Sequence, residues 1–509
     1  MPPLFTILYI LTSFSGFLLM YTHRVHMFQL NAYKYVFHKD WMRKNAPALA
    51  VKALLPLAAA GLFFVPFAAA RAAGCALNLL FALLYLPKKA KKPLVFTARV
   101  KRLYVTGILL FALLCCGNVY APLCELPLVC GSYFLLLCNL INRPAENAVR
   151  RYYINEAKKK IASLPNLTVI GITGSYGKTG TKYILNRLLS ERYNVLMTPA
   201  SYNTTMGVVK VVRENLTAAH DIFICEMGAR NVGEIKEICD IVRPRYGIIT
   251  SIGPCHLETF GSIENVLRTK FELCDALPPD GVLFLNNDNE YLREKKDIPR
   301  RVVRYGLSDG ADVTAKILSL SEKGTEFCVH DGKEEFTLTT KLLGAHNIVN
   351  VLGCVALCRL LSVSVSELML GARRLESTPH RLSMIKGNGF VILDDAFNSN
   401  PTGAEAALAV LAGFEGQKIL ITPGMIELGS EQDALNEAFG RRAAGVCDAI
   451  FLIGEKQTRP IRKGIEAENF PAERLRVFDR VDEAISAART LPGAARNVIL
   501  IENDLPDNF

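Results

Sequence analysis

The stretch LTVIGITGSYGKT, residues 167–179, places a short apolar run before a glycine-rich turn that ends in a lysine and a threonine. Glycines let the backbone amides of such a turn face phosphate groups, and a helix that begins there adds partial positive charge at its N-terminus. Lys178 would reach the outer phosphates of a nucleotide, and the Thr179 hydroxyl could bind Mg²⁺. The spacing is not the standard one, because Ile172 stands where a strict phosphate loop has its first glycine. The strand–loop–helix setting predicts a phosphate loop, and a chance glycine-rich turn is the alternative.

Short β-branched runs alternate with amphipathic segments from Leu167 onward, which is the pattern of βαβ units and a largely parallel sheet. The first series of candidate strands comprises residues 167–173, 221–226, 246–251 and 281–286. The second series comprises residues 390–395, 417–422, 449–453 and 497–502, with helical stretches at 402–414, 431–446 and 481–491. The sequence therefore predicts two α/β domains, joined near residues 373–388.

Three side chains that could serve a metal site follow the first series of strands. Glu226 lies in CEMGA, His256 in SIGPCHLETFG, and Lys270 in the downstream segment ENVLRTKFE. The carboxyl ends of parallel strands meet at one edge of a sheet, where ligands of such folds bind. A carboxylate and an imidazole at that edge could hold a second cation. A single Glu or His is more often structural, so this interpretation depends on the three residues occurring together.

Composition points to part of the chain being in lipid. Half of the 509 residues are apolar and the mean hydropathy is +0.22, while the 21% of charged residues argue against long disorder. At roughly 150 residues per domain, the length predicts about three domains. The 14 cysteines show no regular spacing, so neither a disulfide scaffold nor a zinc ribbon is indicated and a reducing compartment is expected.

Positive charge is concentrated at the N-terminal end of the chain. Up to Asn142 there are 14 lysines and arginines against two acids, Asp40 and Glu125, a net charge of +12. The remainder has 45 basic and 46 acidic residues, a net charge of −1. The basic balance of the whole chain therefore gives no reason to expect nucleic-acid binding.

The basic N-terminal region contains apolar runs near the length that a bilayer requires, about 17–25 residues. The five candidate spans are residues 3–21, 47–69, 72–87, 104–120 and 124–142. The third is short and could be re-entrant, which leaves four spans as the alternative. Loop 22–45 carries five basic residues and loop 88–102 carries seven, so both are predicted to be cytoplasmic. The expected organisation is a transmembrane helical region at 1–142 in the inner membrane, with everything after Asn142 in the cytoplasm.

Residues 143–164 are predicted to form a basic linker helix at the membrane surface. The segment includes Arg143, Arg150, Arg151 and Lys158–Lys160, and directly follows the last candidate span. Such a helix would lie along an anionic inner leaflet. An ordinary solvated connecting helix is the alternative.

Seven motifs, in a fixed order between residues 165 and 505, carry a resemblance to a known family. They are TGSYGKT, EMGARNVGEI, GPCHLETFGSIENVLRTK, NNDN, GAHNIVN, HRL and DDAFNSNP. This order resembles the Mur ligase family, and most closely its MurF type. The resemblance implies an α/β fold with a phosphate-loop, ATP-binding central domain at residues 165–375 and a Rossmann-like C-terminal domain at 376–509. It also implies an ATP-dependent ligase that joins a carboxylate to an amine through an acyl phosphate, in peptidoglycan or other cell-envelope precursor synthesis.

The resemblance assigns a role to each matching residue. The ATP phosphates would be bound by Gly174, Ser175, Gly177, Lys178, Thr179 and Gly180. Two Mg²⁺ ions would be bound by Thr179, Glu226, His256 and Lys270, the last as a carbamate formed with carbon dioxide. The rest of the nucleotide would be contacted by Asn286, His346, Asn347, Arg381 and Asp395, with Arg381 at the γ-phosphate. The substrates would be met by Asn203, Thr204, Asn398 and Asn400. Catalysis would fall mainly to Lys178, Lys270, His256 and Arg381, whereas Asn286 and Asn350 could instead cap turns.

The chain departs from the family at three places. The family's N-terminal domain, which grips the UDP of its precursor, has no counterpart, and the predicted spans occupy its place. His380 replaces a glycine before the family arginine, and residues 501–504 replace a Lys-Gly-Ser-Arg segment. The expected partners are the membrane, other envelope enzymes, a carboxylate-bearing envelope precursor, and an amine, amino acid or dipeptide. A lipid-linked precursor is the expectation and a UDP-linked one the alternative.

Two other functions compete with the envelope ligase. One is a membrane-bound polyglutamate-type polymer synthetase, over which the EMGA and GPCHLE motifs favour the MurF type. The other is a non-catalytic scaffold for envelope enzymes, against which the intact Lys178, Thr179, Glu226, His256 and Lys270 argue.

Overall fold

The computed structural model describes residues 3–87, 92–117, 122–200, 202–255, 257–378, 380–397, 399–426, 428–493 and 495–504, without the side chains of Pro3, Leu4, Glu258 and Ser430. The chain divides into two compact units between Tyr152 and Tyr153.

The described part of the first unit is built of helices. They are α1 (Pro3–Leu30), α2 (Tyr35–Lys44), α3 (Ala46–Phe63), α4 (Ala68–Leu83), α5 (Ala98–Cys116) and α6 (Leu126–Ala162), with a 3₁₀ turn at Leu123–Glu125. By length and composition alone, the described residues include three stretches able to cross a membrane: Phe5–Leu30, Ala46–Phe63 and Leu123–Ala162. Helix α4 is apolar but shorter, and α5 carries three basic residues in its first turns. Each of the five predicted runs thus coincides for most of its length with one helix, and three of those helices meet the criterion for a span.

Aromatic side chains form the core of this unit. The Phe17 ring of α1 stacks on Phe111 of α5 at 4.7 Å and meets Phe134 of α6 edge-on at 5.7 Å. Such pairs contribute beyond the apolar area that they bury. Helix α6 continues without a break through Pro144, so the predicted linker helix is the second half of α6. Its one irregularity in the first unit is Gly131, where φ is +26° and ψ is −87°.

The second unit begins with a three-layer α/β domain. Its elements are β1 (Thr168–Thr173), α7 (Lys178–Leu189), β2 (Val195–Met197), α8 (Thr205–Asn215), β3 (Ile222–Glu226), α9 (Glu234–Val242), β4 (Tyr246–Ile249), α10 (Leu257–Phe260), α11 (Ile263–Ala276), β5 (Val282–Asn286), α12 (Glu290–Arg293), β6 (Arg301–Gly306), β7 (Val313–Ser321), β8 (Gly324–His330), β9 (Glu335–Thr340), α13 (Ala345–Leu360) and α14 (Val365–Arg373). The strands form one sheet in the order β2-β3-β1-β4-β5-β6-β7-β8-β9. Pairing is parallel from β2 to β7 and antiparallel between β7, β8 and β9.

Strand β1 lies where the order of the sheet reverses. The strands that follow it in sequence pair on both of its sides, with β3 on one edge and β4 on the other. Its residues Val169, Ile170 and Ile172 are buried, because apolar layers cover both faces of the sheet. Such a reversal leaves a crevice at the carboxyl end of the strand, where ligands of open α/β sheets bind. The glycine-rich turn follows β1 at that end.

A second α/β domain completes the unit. Its elements are β10 (Ser383–Gly387), β11 (Phe390–Asp395), α15 (Pro401–Ala412), β12 (Gln417–Thr422), α16 (Gln432–Val446), β13 (Ala449–Ile453), α17 (Arg459–Ala467), β14 (Leu475–Phe478), α18 (Val481–Arg489) and β15 (Asn497–Glu502), with 3₁₀ turns at Gly429–Glu431 and Ala472–Arg474. The sheet order is β10-β11-β15-β12-β13-β14, parallel except for the antiparallel edge strand β10. Apolar clusters lie on both faces of this sheet as well.

All eight strands predicted from sequence are present, and the four of the second series have the predicted bounds. The sequence prediction missed β2, β6 to β10 and β14. Strand β2 has only three residues, and β7 leaves most of its side chains partly or fully exposed, so neither produces a continuous apolar run.

Candidate active site

The glycine-rich turn links β1 to α7 and consists of residues 174–177. Gly174 has a φ of +149°, and a Cβ at this position would overlap the Thr250 hydroxyl oxygen. Glycine is therefore required here both by the backbone and by the close approach. Helix α7 begins at Lys178, so its first amides face the crevice at the carboxyl end of β1.

The segment that follows β4 holds the turn in place. The Ser175 amide donates to the Ser251 carbonyl at 2.7 Å, and the Tyr176 amide donates to the Ser251 hydroxyl at 3.0 Å. The Thr250 hydroxyl donates to the Tyr176 carbonyl at 2.5 Å. The Ser175 hydroxyl donates to the Gly253 carbonyl at 3.0 Å. These bonds form a latch between the turn and residues 250–253, and they hold the turn in one shape.

Lys178 lies over the turn. Its Nζ donates to the carbonyl oxygens of Gly174 and Ser175 at 2.6 and 2.9 Å. Removal from water lowers the pKa of Lys178, and the Glu226 carboxylate opposes that shift. The ammonium group thus lies over the turn that the sequence predicts to be a phosphate loop.

Glu226 ends β3 and is the centre of a buried polar cluster. With 1% of its surface exposed, it accepts hydrogen bonds at 3.0 Å from the Thr179 hydroxyl and from the Asn203 amide. Lys182 Nζ lies 2.9 Å from the second carboxylate oxygen. Burial alone would raise the pKa of Glu226, but the Lys182 ammonium and the hydrogen bonds outweigh it and the pKa is lowered. The structure thus brings together Thr179, Asn203 and Glu226, and keeps the carboxylate ionised.

The sequence prediction gave no role to Lys182, although its position in α7 indicates one. It follows Lys178 by four residues, so both lysines lie on one face of the helix. Its side chain is fully buried and its ammonium also donates to the Ala200 carbonyl at 2.5 Å.

Lys270 lies on α11 with 1% of its surface exposed. Its Nζ is 5.8 Å from the centroid of the Phe260 ring. Burial, with a further contribution from the positive charge of Lys178, lowers the pKa of Lys270 to about 7. An appreciable fraction of this amine is therefore neutral, and hence nucleophilic, at neutral pH.

Arg381 reaches the phosphate loop from the second domain. Its Nη2 donates to the Thr179 hydroxyl oxygen at 3.4 Å, and its guanidinium carbon lies 4.6 Å from the centroid of the Phe397 ring. His380, the residue in place of the family glycine, adopts a positive φ of +60°. Its Nδ1 lies 2.8 Å from an Asp394 carboxylate oxygen, a contact that helps to hold the unusual backbone.

Two carboxyl groups lie side by side below Arg381. Asp395 at the end of β11 is paired in register with Glu502 at the end of β15. Burial, and then the neighbouring Asp395, raise the pKa of Glu502 well above its usual range. Burial raises the pKa of Asp395 to about 6. The Ser399 hydroxyl donates to Glu502 at 2.5 Å, and Asp395 accepts from the Leu382 amide at 3.0 Å.

The residues predicted at the adenine also have structural contacts. Asn286 donates to the Thr250 carbonyl and accepts from the Asp288 amide, both at 2.9 Å, so it joins the ends of β4 and β5. Asn347 donates to the Leu343 carbonyl at 2.8 Å. The buried His346 Nδ1 has no hydrogen-bond partner within the described ranges, and burial lowers the pKa of this residue to about 4.

The remaining predicted residues fall into two groups. Thr204 and Asn400 are N-caps, and their side chains accept from the amides of Gly207 and Gly403 at 3.4 and 2.9 Å. His256 and Asn398 lie outside the described residues, so their predicted roles stay predictions. Within the described part of the chain, no three His, Cys, Asp or Glu side chains cluster as metal ligands.

These features define a class of protein: a two-domain α/β protein in which a phosphate loop on one domain receives an arginine from the other. Models of the Mur ligase middle domain and of the Mur ligase, glutamate ligase domain match residues 172–358 and 380–501. The chain belongs to the Mur ligase family through these two domains, and it is MurF-like.

Individual relatives agree with this assignment. The UDP-N-acetylmuramoyl-tripeptide--D-alanyl-D-alanine ligase of Escherichia coli is 32% identical over 294 residues, which cover 57% of this chain and 65% of that protein. The enzyme of the same name from Bacillus subtilis is 31% identical over 298 residues, covering 56% and 63%. The crystal structure of MurF from Acinetobacter baumannii superposes with a TM-score of 0.63 at 27% identity, covering 70% of this chain and 77% of that one. The chain spans less than two thirds of the length of these curated relatives.

Proposed function

We propose that the protein is an ATP-dependent ligase that joins a carboxylate to an amine. The observation that carries the proposal is the contact of Arg381 with Thr179, because it joins two domains at the phosphate loop. Phosphoryl transfer depends on positioning and charge neutralisation more than on covalent help from the protein. Lys178 from one domain and Arg381 from the other supply positive charge where negative charge would accumulate.

The proposed reaction has two steps. A carboxylate oxygen of the first substrate attacks the γ-phosphorus of ATP, and ADP leaves, giving an acyl phosphate. The second substrate's amine then attacks the acyl carbon, the tetrahedral oxyanion collapses with loss of inorganic phosphate, and the nitrogen releases a proton. Arg381 would stay near the transferred phosphoryl group throughout. Closure of the second domain over the loop would also exclude water from the acyl phosphate.

The residues at the loop fit Mg²⁺. Thr179 and Glu226 present a hydroxyl and a carboxylate oxygen 3.0 Å apart, and Mg²⁺ prefers oxygen ligands together with substrate phosphates. Lys182 keeps the Glu226 carboxylate ionised, as a metal ligand must be. When bound, Mg²⁺ neutralises charge on the phosphate oxygens. His256 remains a predicted ligand for a second ion.

We further propose that Lys270 reacts with carbon dioxide to form a carbamate. Its lowered pKa supports this, because only a neutral amine adds to carbon dioxide. The ammonium first loses a proton, and the neutral nitrogen then forms a bond to the carbon of carbon dioxide and loses a second proton, so a cation becomes an anion with two oxygen atoms. Such a group would suit the second Mg²⁺ expected from the family resemblance.

The substrate class follows from the relatives. Their names specify a tripeptide-bearing UDP precursor and D-alanyl-D-alanine. We propose that this chain extends a peptide-bearing precursor of peptidoglycan or a related envelope polymer with a dipeptide or other amine. We also propose that the helical region, whose helices α1, α3 and α6 are long and apolar enough to cross a bilayer, anchors the protein in the cytoplasmic membrane through five spans, with the ligase domains on the cytoplasmic side. On this basis the precursor is held at the membrane through a lipid.

The test is to offer the detergent-purified protein ATP and D-alanyl-D-alanine with either a UDP-linked tripeptide precursor or its polyprenyl-linked form. Phosphate release and a new amide product are measured by enzyme-coupled assay and mass spectrometry. We expect turnover of the polyprenyl-linked form. Turnover of the UDP form alone would refute the lipid-linked substrate and leave the ligase chemistry in place. No ATP-dependent product with any carboxylate and amine pair would refute the ligase proposal itself.

A further inference from the structure

Arg24 is a buried cation of the helical unit with unmet hydrogen-bond donors. It lies on α1 with 4% of its surface exposed. Its Nη2 donates to the Tyr85 hydroxyl at 2.9 Å. Its Nε and Nη1, which carry three of the five guanidinium N–H groups, have no hydrogen-bond partner among the residues that the structure describes. A buried charge is costly unless it is paired and hydrogen-bonded, so this geometry indicates that an acceptor comes from outside the chain.

The acidic side chains of the helical unit have other hydrogen-bond partners or lie at the surface. Glu125 accepts hydrogen bonds from Ser13 at 2.6 Å and Asn78 at 2.7 Å. Glu146 forms a two-point ion pair with Arg102 at 2.7 and 2.9 Å. Asp40 is exposed at the surface of α2. In the part of the unit that the structure describes, no carboxylate is paired with Arg24.

Other side chains around Arg24 add positive charge or donors. Its guanidinium carbon lies 5.4 Å from the Trp41 ring centroid and 5.5 Å from that of Tyr85. Lys52 Nζ is 4.6 Å from the Tyr85 ring. The His38 ring stacks on Trp41 at 5.3 Å, and its buried Nε2 has no hydrogen-bond partner in the described part of the unit. A ligand with several negatively charged oxygen atoms matches this set better than a single halide would.

The backbone of α6 passes close to the guanidinium. At the irregular residue Gly131, a Cβ would lie 3.4 Å from Arg24 Nε, at the limit of ordinary van der Waals contact. Trp41 is partly exposed, whereas Arg24 and Tyr85 are buried, so a ligand can approach from the Trp41 side. A planar guanidinium is also the group that best matches phosphate oxygens.

Apolar surface continues from this site along two helices. Val51 and Leu54 on α3 are 66% and 59% exposed, and Leu80 and Leu83 on α4 are 46% and 59% exposed. The geometry points to Arg24 as the binding site for the phosphate group of a membrane lipid, with the lipid chain along α3 and α4. This inference rests on the proposed function, in which the ligase substrate is carried by a lipid such as a polyprenyl phosphate or diphosphate.

The experiment measures the melting temperature of the full-length protein in detergent with three additives: a polyprenyl phosphate, inorganic phosphate with diphosphate, and phosphatidylcholine. Arg24→Met removes the guanidinium but keeps an apolar side chain of similar length. Arg99→Met is the matched control, because Arg99 also lies over a tyrosine, Tyr33 at 4.2 Å, and donates to Asn139, while among the described residues its Nε alone, and not its Nη1, is buried without a partner. Both variants lose one positive charge.

We expect polyprenyl phosphate to raise the melting temperature of the wild type and of Arg99→Met by several degrees. The Arg24→Met variant should show no rise, with affinity at least about 10- to 100-fold weaker, as loss of a charged hydrogen-bonding partner predicts. An equal rise in Arg24→Met would overturn the site. So would an equal rise with phosphatidylcholine, and an equal rise with inorganic phosphate would show that the ligand is not a lipid.

Arg24→Lys keeps the positive charge but lacks the planar donor group. It replaces Arg24→Met in the experiment if that variant does not fold. Unchanged affinity of Arg24→Lys for polyprenyl phosphate would then contradict the proposal. The rise in melting temperature that ADP produces in the wild type measures nucleotide binding at the phosphate loop, independently of the lipid site. If polyprenyl phosphate raises the melting temperature but no amide product is formed, the lipid site stands and the ligase proposal is refuted. If an amide is formed but polyprenyl phosphate has no effect on the melting temperature, the ligase proposal stands and the lipid site is refuted.

Discussion

The buried pair of Lys182 and Glu226 links folding to the phosphate loop. Because neither side chain reaches solvent, Lys182→Met would leave a buried carboxylate without its counter-charge. We expect this to lower the free energy of unfolding by about 3–5 kcal/mol. Adding Glu226→Gln to Lys182→Met should restore most of the loss, since no uncompensated charge then remains. Chemical denaturation of the three variants measures this coupling.

The same pair has a pH dependence with a defined sign. The pKa of Glu226 is lower in the folded state than its ordinary value of 4.5. Its ionisation therefore stabilises the fold above the unfolded pKa, and that contribution is lost as the pH falls through the folded pKa. A Lys182→Met variant as stable as the wild type at pH 7 would show that the pair does not carry this energy.

Lys178 and Thr179 are predicted to be essential for turnover. Lys178→Ala removes a counter-charge from the phosphates, and Thr179→Ala removes an oxygen ligand that also receives the Arg381 hydrogen bond. Each should lower ATP-dependent phosphate release by several powers of ten while the protein still folds. Lys210→Ala, which removes an exposed lysine that is paired with Glu214 and lies over the Tyr202 ring, is the control. Near-wild-type rates in either loop variant would exclude the assigned loop.

Lys270 offers a chemical test of its proposed carbamate. Lys270→Ala should be inactive, and a short-chain carboxylic acid should restore part of the activity by placing two oxygen atoms in the vacated space. Lys270→Arg keeps a positive charge and should not be rescued. Phosphate release with and without acid measures the effect. Absence of rescue, together with activity independent of carbon dioxide, would leave Lys270 as an ordinary buried lysine.

At the scale of elements, the pairing of β11 with β15 forces two carboxyl groups together. Asp395 and Glu502 have raised pKa values, so the folded state binds more protons than the unfolded state between the unfolded and folded pKa values. Stability therefore decreases as the pH rises through about 6 and above. We expect Glu502→Gln to raise the melting temperature at pH 8 and to differ little from the wild type at pH 5.

The control for that prediction is Glu455→Gln, which removes an exposed acid of the same domain. Melting curves between pH 5 and pH 8 provide the comparison. Equal pH profiles for Glu502→Gln and the wild type would show that the two carboxyl groups do not compete for protons.

The elements that sequence predicted well are those buried on both faces. Strands β11, β12, β13 and β15 are continuous apolar runs between helices, and their predicted bounds match the structure. Strands β7 to β9 alternate in exposure at the edge of the sheet, and polar residues such as Lys316 and Thr337 obscure the pattern. Edge strands depend on their pairing partners more than on their own composition.

The candidate site could be predicted in part for a related reason. Lys178, Thr179 and Glu226 follow strands, so their meeting at one sheet edge was visible in the order of the elements. The contacts of Asn286 and Asn400 with nearby backbone groups could not be predicted from the sequence, because capping depends on local geometry. The Asp395–Glu502 pair required knowledge of strand order, since 106 residues separate the two positions in the chain.

At the scale of the whole molecule, the distribution of charge predicts the orientation in a membrane. A cysteine at Val95, in loop 88–102, should be protected from an impermeant thiol reagent in whole cells, because basic loops stay cytoplasmic. A cysteine at Phe67, between α3 and α4, should react. Both positions are well exposed in the structure. Both cysteine variants would also carry Ser in place of the exposed Cys116 and Cys130. Reaction of the cysteine at position 95 with the reagent would show that the predicted topology is wrong.

The latch between the phosphate loop and residues 250–253 has a thermodynamic consequence for ligand choice. A loop already held in shape loses little conformational entropy when a nucleotide arrives, so most of the contact energy remains available as affinity. The same rigidity would give every nucleoside triphosphate an equivalent cradle, because the loop and Lys178 would contact only the phosphates. Discrimination among adenine, guanine and the pyrimidines would then come from the far end of the ligand, where Asn286 at the end of β5 and His346 at the start of α13 are proposed to contact the base.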